Sequence, residues 1–237
     1  LVLNLIGKKN KTINNKTTYT MPFRLLLKLF LVLLLFGCSE GPKEKFKSWT
    51  VYSGDPSGSK FSDLSEINKD NVGSIKLLWE LEIFDEKEYH RNGIQCNPII
   101  IGDQMFIIGP DMKVHAINAK QGTINWSFDP FPGEKYSGNS RGVTYFDDGV
   151  KGRLLFVAAS TLFCIDASSG ALIPSFGKGG KVELNKGFGP QYENLFITAS
   201  SPGIIFKDYL ILGSRVLDGA NQKTMPGNIR AFNAYTG

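Results

Sequence analysis

The side chains best suited to covalent or metal chemistry in this 237-residue chain are three cysteines, Cys38, Cys96 and Cys164, and two histidines, His90 and His115. Two histidines are too few for a histidine-rich zinc centre. Three cysteines are too few for a fold built on disulfides. Cys96 and Cys164 could pair, but nothing around them requires it, and both are expected to be small buried residues, since a free cysteine packs as a small apolar side chain. Chemistry at cysteine therefore falls on Cys38, which follows Leu35, Phe36 and Gly37.

The segment before Cys38 accounts for the charge of the whole chain. The 27 Lys and Arg against 22 Asp and Glu give a net charge of +5, which would suggest a nucleic-acid or acidic-surface partner. Six of the bases (Lys8, Lys9, Lys11, Lys16, Arg24 and Lys28) lie within residues 1–37, where there is no acid. The rest holds 21 bases against 22 acids, a net −1, and no nucleic-acid partner is expected. The first methionine is Met21; after it come Arg24 and Lys28, the apolar run Leu29–Phe36 and the small Gly37. A basic start, a short apolar core and a small residue describe a secretory signal. The run is short of the roughly 20 residues that span a bilayer. Leu35–Cys38 resembles a bacterial lipobox, which implies cleavage before Cys38 and a lipid on its thiol. Residues 1–20 then read as translated upstream sequence and 21–37 as a lipoprotein signal peptide. The implied location is periplasm-facing and membrane-anchored in a Gram-negative bacterium.

The body is organised as β-structure. A hydrophobic content of 42% with 12% aromatics excludes a disordered chain. Pro98–Ile101, Gly102-Asp103 and Met105–Gly109 recur as Pro202–Phe206, Lys207-Asp208 and Tyr209–Gly213, with eleven positions from Pro to Gly in both. Leu154–Ala159 and Thr161–Ile165 make a third such pair. Each predicts two strands around a tight turn. A second element follows each pair: Ala116–Gly122 with Trp126 four residues on, then Cys164–Gly170, then Ala231–Gly237. Its Asn or Asp and its Gly suit a turn, because the first hydrogen-bonds its own backbone and the second accepts positive φ. The three glycines lie 48 and 67 residues apart. Blade-sized spacing of strand–turn–strand units predicts a β-propeller, and no helix-length amphipathic stretch appears after residue 80. About three repeats are present, so the chain reads as an N-terminal fragment of a longer protein.

Several segments then resemble a known family. Trp49–Asp55, Gly58–Val72 and Leu78-Trp79 look like the opening of the pyrroloquinoline quinone (PQQ) dependent dehydrogenases, above all the membrane-type glucose, polyol and quinate enzymes. Gln95–Ile99, Lys113–Ala119, Trp126–Pro130, Arg141–Tyr145, Ser175–Gly177, Gly213–Val216 and Pro226–Gly237 are similar too. The resemblance covers about residues 47–237. It implies the first three or so blades of an all-β, eight-bladed propeller, with 38–94 leading into it and 95–237 forming the partial propeller. It implies PQQ on the axis with calcium or another divalent cation, a sugar, polyol or alcohol as substrate, and a quinone or cytochrome as electron acceptor. A planar tricarboxylate quinone needs guanidinium and hydroxyl donors. By this resemblance Gln95, Arg141, Ser200, Ser214 and Arg215 contact PQQ, and Asp218 is a metal ligand. The stretch Lys135–Ser140 lacks the adjacent cysteines of some alcohol-oxidising members. Ser137 or Gly138 stands where glucose-type enzymes place a histidine.

The family's catalytic base lies beyond the position of Gly237, so residues 1–237 alone are expected to be inactive. A non-enzymatic lipoprotein propeller of the outer-membrane assembly type shares the lipobox and the Ala-Asx turn. It lacks the Trp49–Val72 opening and has no need of Arg141. Mass spectrometry of the membrane fraction is expected to find a mature chain that starts at a lipidated Cys38. A different start, or an unmodified Cys38 thiol, contradicts the signal reading.

Overall fold

The computed structural model describes residues 48–85, 93–219 and 223–237; Cys38, its signal segment and His90 lie outside the described residues. The described residues hold thirteen strands, β1 to β13, and two short 3-10 turns, Val72–Ser74 and Pro190–Tyr192, with no α-helix among them. The first sheet is β1 (Ile99–Ile101), β2 (Gln104–Ile108), β3 (Val114–Asn118) and β4 (Ile124–Phe128), paired in chain order. The second is β5 (Thr144–Asp147), β6 (Gly152–Ala158), β7 (Thr161–Asp166) and β8 (Lys181–Glu183), again in order. The third pairs β10 (Ile204–Phe206), β11 (Tyr209–Leu212) and β13 (Arg230–Asn233). A small pair, β9 (Ile197–Thr198) with β12 (Arg215–Val216), stands beside it. The uneven repeat spacing has its cause here, because β9, β12 and their loops are inserted into the third unit.

Each expected turn forms as its residues dictate. The Asn118 side-chain oxygen accepts the N–H groups of Lys120 and Gln121, both at 3.0 Å. Asp166 accepts those of Ser168 and Ser169, and Asn233 those of Tyr235 and Thr236. Gly122, Gly170 and Gly237 close the three turns at φ of +68°, +72° and +79°. Those glycines are also contact points. A Cβ on Gly122 would lie 2.4 Å from the Trp79 ring, and one on Gly170 would lie 2.5 Å from the Trp126 ring. Trp79 Nε1–H donates to Ala119 O at 3.1 Å, and Trp126 Nε1–H to Ala167 O at 3.2 Å. One such bond contributes about 1 kcal/mol. Losing a packed Trp typically costs about 3–5 kcal/mol, so the ring rather than the bond seats each blade on the next. The third turn has no indole, and position 174, four residues after Gly170, is Pro. There Gly177 N–H donates to Thr236 O at 2.8 Å, and Val182 reaches Gly237 instead.

The second sheet is buried on both faces, which explains its nearly continuous apolar runs. Successive strand residues point to opposite sides. Leu154, Phe156, Ala158, Phe163 and Ile165 pack toward the first sheet with Phe106, Ile108, Val114 and Ala116. Leu155, Val157, Leu162 and Cys164 pack toward the third with Leu210, Leu212 and Phe232. Phe156 and Phe163 stack at 5.2 Å, and Phe128 meets both edge-on at 5.9 Å. The outer face of the third sheet is open, with Ile204 and Phe206 about three-fifths exposed.

One charged pair also ties blades together. Arg153, 6% exposed, donates to Asp148 from Nε at 2.8 Å and from Nη2 at 2.7 Å, and to Tyr235 O of the third turn at 3.1 Å. The Lys151 N–H, the Arg153 side chain and the Val150 N–H lower the Asp148 pKa from 3.8 to about 2. A depressed carboxylate pKa stabilises the fold above the unfolded value and ceases to do so once the folded form is protonated. The protein is expected to lose stability as pH falls from about 4 to about 2, with a shallower acid slope in Asp148→Asn, as followed by thermal melts. Equal slopes would remove Asp148 from acid unfolding.

Candidate cofactor-binding site

The inner strands of the three sheets begin at β1, β5 and β10, and the residues just before them meet. Asn97 N–H donates to Arg141 O at 2.9 Å, and Arg141 N–H donates to Ser200 O at 2.7 Å. Three segments far apart in sequence thereby form one continuous backbone line. Gly142 makes the approach possible. It is buried at φ +141°, and a Cβ there would lie 2.9 Å from Asn97 O and 3.4 Å from Pro202. Thr144 reinforces the line by donating its hydroxyl to Gly203 O at 2.9 Å.

A cavity of about 190 Å³ opens at this line, lined by Ser200, Ser201, Pro202, Gly213, Ser214 and Arg215 together with Ala199. Pairing of Arg215 with Thr198 in the β9–β12 ladder brings Arg215 alongside Ser200. The Arg141 side chain is exposed and reaches Ser201 Oγ at 3.5 Å. The structure thus groups Ser200, Ser214 and Arg215 in one cavity with Arg141 at its edge. Ser214 spends its hydroxyl proton on Asn228 O at 2.7 Å, so its oxygen faces other partners only as an acceptor. Gln95 is exposed two residues before Asn97, and Asp218 is exposed two residues beyond β12; neither lines the cavity.

The stretch expected to lie over the cofactor folds onto the first blade. Gly138 N–H donates to Pro110 O at 2.9 Å, and a Cβ at Gly138 would lie 2.8 Å from Met112 Sδ. Tyr136 beside it packs on Phe131 at 4.5 Å. Burial pushes the Tyr136 phenol up, against the Ala159 N–H and the Arg215 charge, which pull it down. Ser201 lines this cavity and was passed over by sequence reasoning. Ser201 carried only its place beside Ser200 as a signal.

The other reactive side chains stand apart. Cys96 and Cys164 are free thiols, each pushed up to about 11 by burial, and Cys96 Sγ accepts the Ile108 N–H at 3.4 Å. His115 is 4% exposed and shares a 2.8 Å hydrogen bond between Nδ1 and Ser127 Oγ; burial lowers its pKa. A second cavity, of about 350 Å³, lies across Pro202 between the inner strands β5 and β10 and the turn Ser53–Gly58. Asp55 braces that turn by accepting from the N–H and hydroxyl groups of Ser57 and Ser59, and those donors lower its pKa to about 2.

Antiparallel sheets of three or four strands seated on one another through turn glycines, with a polar cavity where the inner strands begin, define β-propeller blades. Residues 49–237 match the sequence profile described as PQQ: glucose/ethanol/alcohol dehydrogenase, beta-propeller domain, and the chain belongs to that family. It is 28% identical over 221 residues to a quinate/shikimate dehydrogenase (quinone) of Acinetobacter baylyi, across 83% of this chain and 27% of that protein. It is 28% identical over 212 residues to the quinoprotein glucose dehydrogenase of Escherichia coli, across 81% of this chain and 26% of that protein. Among solved structures, the quinohemoprotein alcohol dehydrogenase of Comamonas testosteroni superposes with a TM-score of 0.61 at 22% identity, over 81% of this chain and 26% of its own; this likeness shows the fold. The chain therefore spans about a quarter of the length of these relatives.

Gly142→Ala is expected to break the Asn97–Arg141 contact and to cost about 1–3 kcal/mol, the usual scale for a strained backbone position. Unchanged chemical denaturation of that variant would show that the close approach is not needed.

Proposed function

We propose that the chain forms one wall of the PQQ site in a dehydrogenase that oxidises a CH–OH group of a sugar, polyol or alcohol. The observation that carries this reading is the convergence of Ser200, Ser214 and Arg215 on one cavity, with Arg141 hydrogen-bonded to Ser200. The donor set suits PQQ, since guanidinium groups match carboxylates in geometry and charge and hydroxyls fill the remaining positions. When bound, PQQ supplies the acceptor for the electrons of the substrate C–H bond. Arg141 and Arg215 would balance its negative charge, Ser200 would fix its orientation, and Gly213 would let it approach the backbone.

The cavity lining contains no carboxylate or imidazole. The proton acceptor for the alcohol therefore comes from elsewhere in the protein. Among the described residues no group of three or more His, Cys, Asp or Glu could hold a metal ion. Asp218 supplies at most one ligand, so the described residues do not by themselves fit calcium or another divalent cation. The names of the relatives favour a quinone as electron acceptor, with a cytochrome as the second choice. The periplasm-facing, lipid-anchored location through Cys38 belongs to the same proposal and rests on the lipobox. The family match begins at residue 49 and so includes the opening segment, which weighs against the scaffold reading.

Arg141→Ala is expected to weaken PQQ binding about 10- to 100-fold in the protein expressed from its complete reading frame, from the loss of a charged hydrogen-bonding group. Fluorescence titration with PQQ reads this directly. An unchanged affinity would remove Arg141 from the site, and no PQQ binding by the unsubstituted protein would overturn the proposal.

A further inference from the structure

Two of the cavity residues hang on the β9–β12 ladder: Arg215 lies in β12, and Ser200 follows β9 by two positions. The ladder has only two residue pairs, Ile197 with Val216 and Thr198 with Arg215, and it shares no strand with the three-stranded sheet beside it. A two-stranded ladder is marginal by itself. Other contacts must hold it in place, and they converge on Arg230.

Arg230 opens β13 opposite Leu212, at the end of β11 that runs into Gly213 and Ser214. Strand alternation puts its side chain on the same face as Phe232, which packs with the second sheet. There the guanidinium lies over two rings, 4.8 Å from the centre of Phe188 and 4.7 Å from that of Phe232. It donates from Nη1 to Leu184 O and from Nη2 to Lys186 O at 3.3 Å. None of the ion pairs among the described residues includes it, and burial lowers its pKa. A half-buried guanidinium that meets carbonyls and rings instead of a carboxylate works as a clamp, because its planar fork reaches two acceptors while its faces stack on aromatics.

The clamped carbonyls belong to the connection from β8 to β9, residues 184–196, which holds no strand and only the 3-10 turn Pro190–Tyr192. Phe188, Tyr192 and Leu195 of this connection pack on one apolar cluster with Ile197 and Ala199, which flank Thr198, and with Leu212 and Val216. Arg230 thus joins the segment that delivers β9 to the strand that delivers β12. Ser214 is tied to the same place, since its hydroxyl donates to Asn228 O, two residues before Arg230. We infer, on the reading of this cavity as the PQQ site, that Arg230 is a positioning residue of the cofactor wall, which sets Ser200 beside Arg215. Arg230 is not part of the cavity lining, so it acts through those residues rather than on the cofactor.

Two variants of the protein expressed from its complete reading frame test this. Arg230→Met removes the donors, and Arg230→Lys keeps the charge but offers a single donor point in place of the fork. Without PQQ, both are expected to speed hydrogen–deuterium exchange at least about tenfold in 197–200 and 214–216, as a local opening that leaves β6 and β7 unchanged. Both are expected to weaken PQQ binding about tenfold, and this loss is expected to vanish in an Arg215→Ala background, because groups that act through one another are not additive. Unchanged exchange, acceleration that spreads to β6 and β7, full rescue by lysine, or the same loss of affinity with Arg215→Ala each overturns the inference. If the unsubstituted protein binds no PQQ, the cofactor reading falls, and accelerated exchange confined to the ladder still supports the clamp.

Discussion

A tryptophan ring laid on a glycine that cannot carry a side chain is the contact on which the rest of this structure depends. At Gly122 and Gly170 a single methyl group would sit inside an indole. Positive φ at both positions already favours glycine, so backbone conformation and packing impose the same choice twice. The contact sets the distance between successive blades, and the apolar layers between the sheets follow from it. Where no indole is available, between the second and third blades, a backbone hydrogen bond from Gly177 and the small contact of Val182 with Gly237 hold the same place. The two junctions are thus made by different atoms at the same turn.

The consequence for function is positional. Blades seated at a fixed angle bring their inner strands to a common line, and the line is sealed by two backbone hydrogen bonds, from Asn97 to Arg141 and from Arg141 to Ser200. These use the peptide groups and leave the Arg141 side chain exposed to a ligand. The line itself is held by peptide hydrogen bonds, whereas the Ser214 hydroxyl beside it is already committed to Asn228 O. The polar residues sit at the strand ends, and the strands of the second sheet are buried on both faces by apolar residues. The middle of the second blade is therefore closed to a charged ligand, and the polar cavity lies at the strand ends.

Much of this fold is legible in the residues alone. The three Asx–glycine turns, the strand pairs around Gly102-Asp103 and Lys207-Asp208, and the role of Trp126 as a fixed offset from its glycine all appear where the sequence pattern places them. Those features are local: an Asn side chain bonds to a backbone two residues on, and alternation reads out a face. The pairing of β9 with β12 and the insertion that carries it are not legible, because two-residue ladders have no period. The replacement of tryptophan by Gly177 in the third turn is hidden for a related reason, since it relies on main-chain atoms that every residue has.

The same division separates the site residues. The family resemblance marked Gln95, Arg141, Ser200, Ser214 and Arg215 as cofactor contacts and Asp218 as a metal ligand, while residue type and spacing determined the turns, the strands and the near-neutral charge of the body after Cys38. Only the tertiary structure decided that Ser200, Ser214 and Arg215 share one cavity while Gln95 and Asp218 stand outside its lining, and that the Ser214 proton is already taken by Asn228. The physical reason is range. Turn and strand signals act over a few residues and are written in those residues, whereas the site joins Arg141 to groups about 60 to 75 positions further on, whose distance is set by how whole sheets stack.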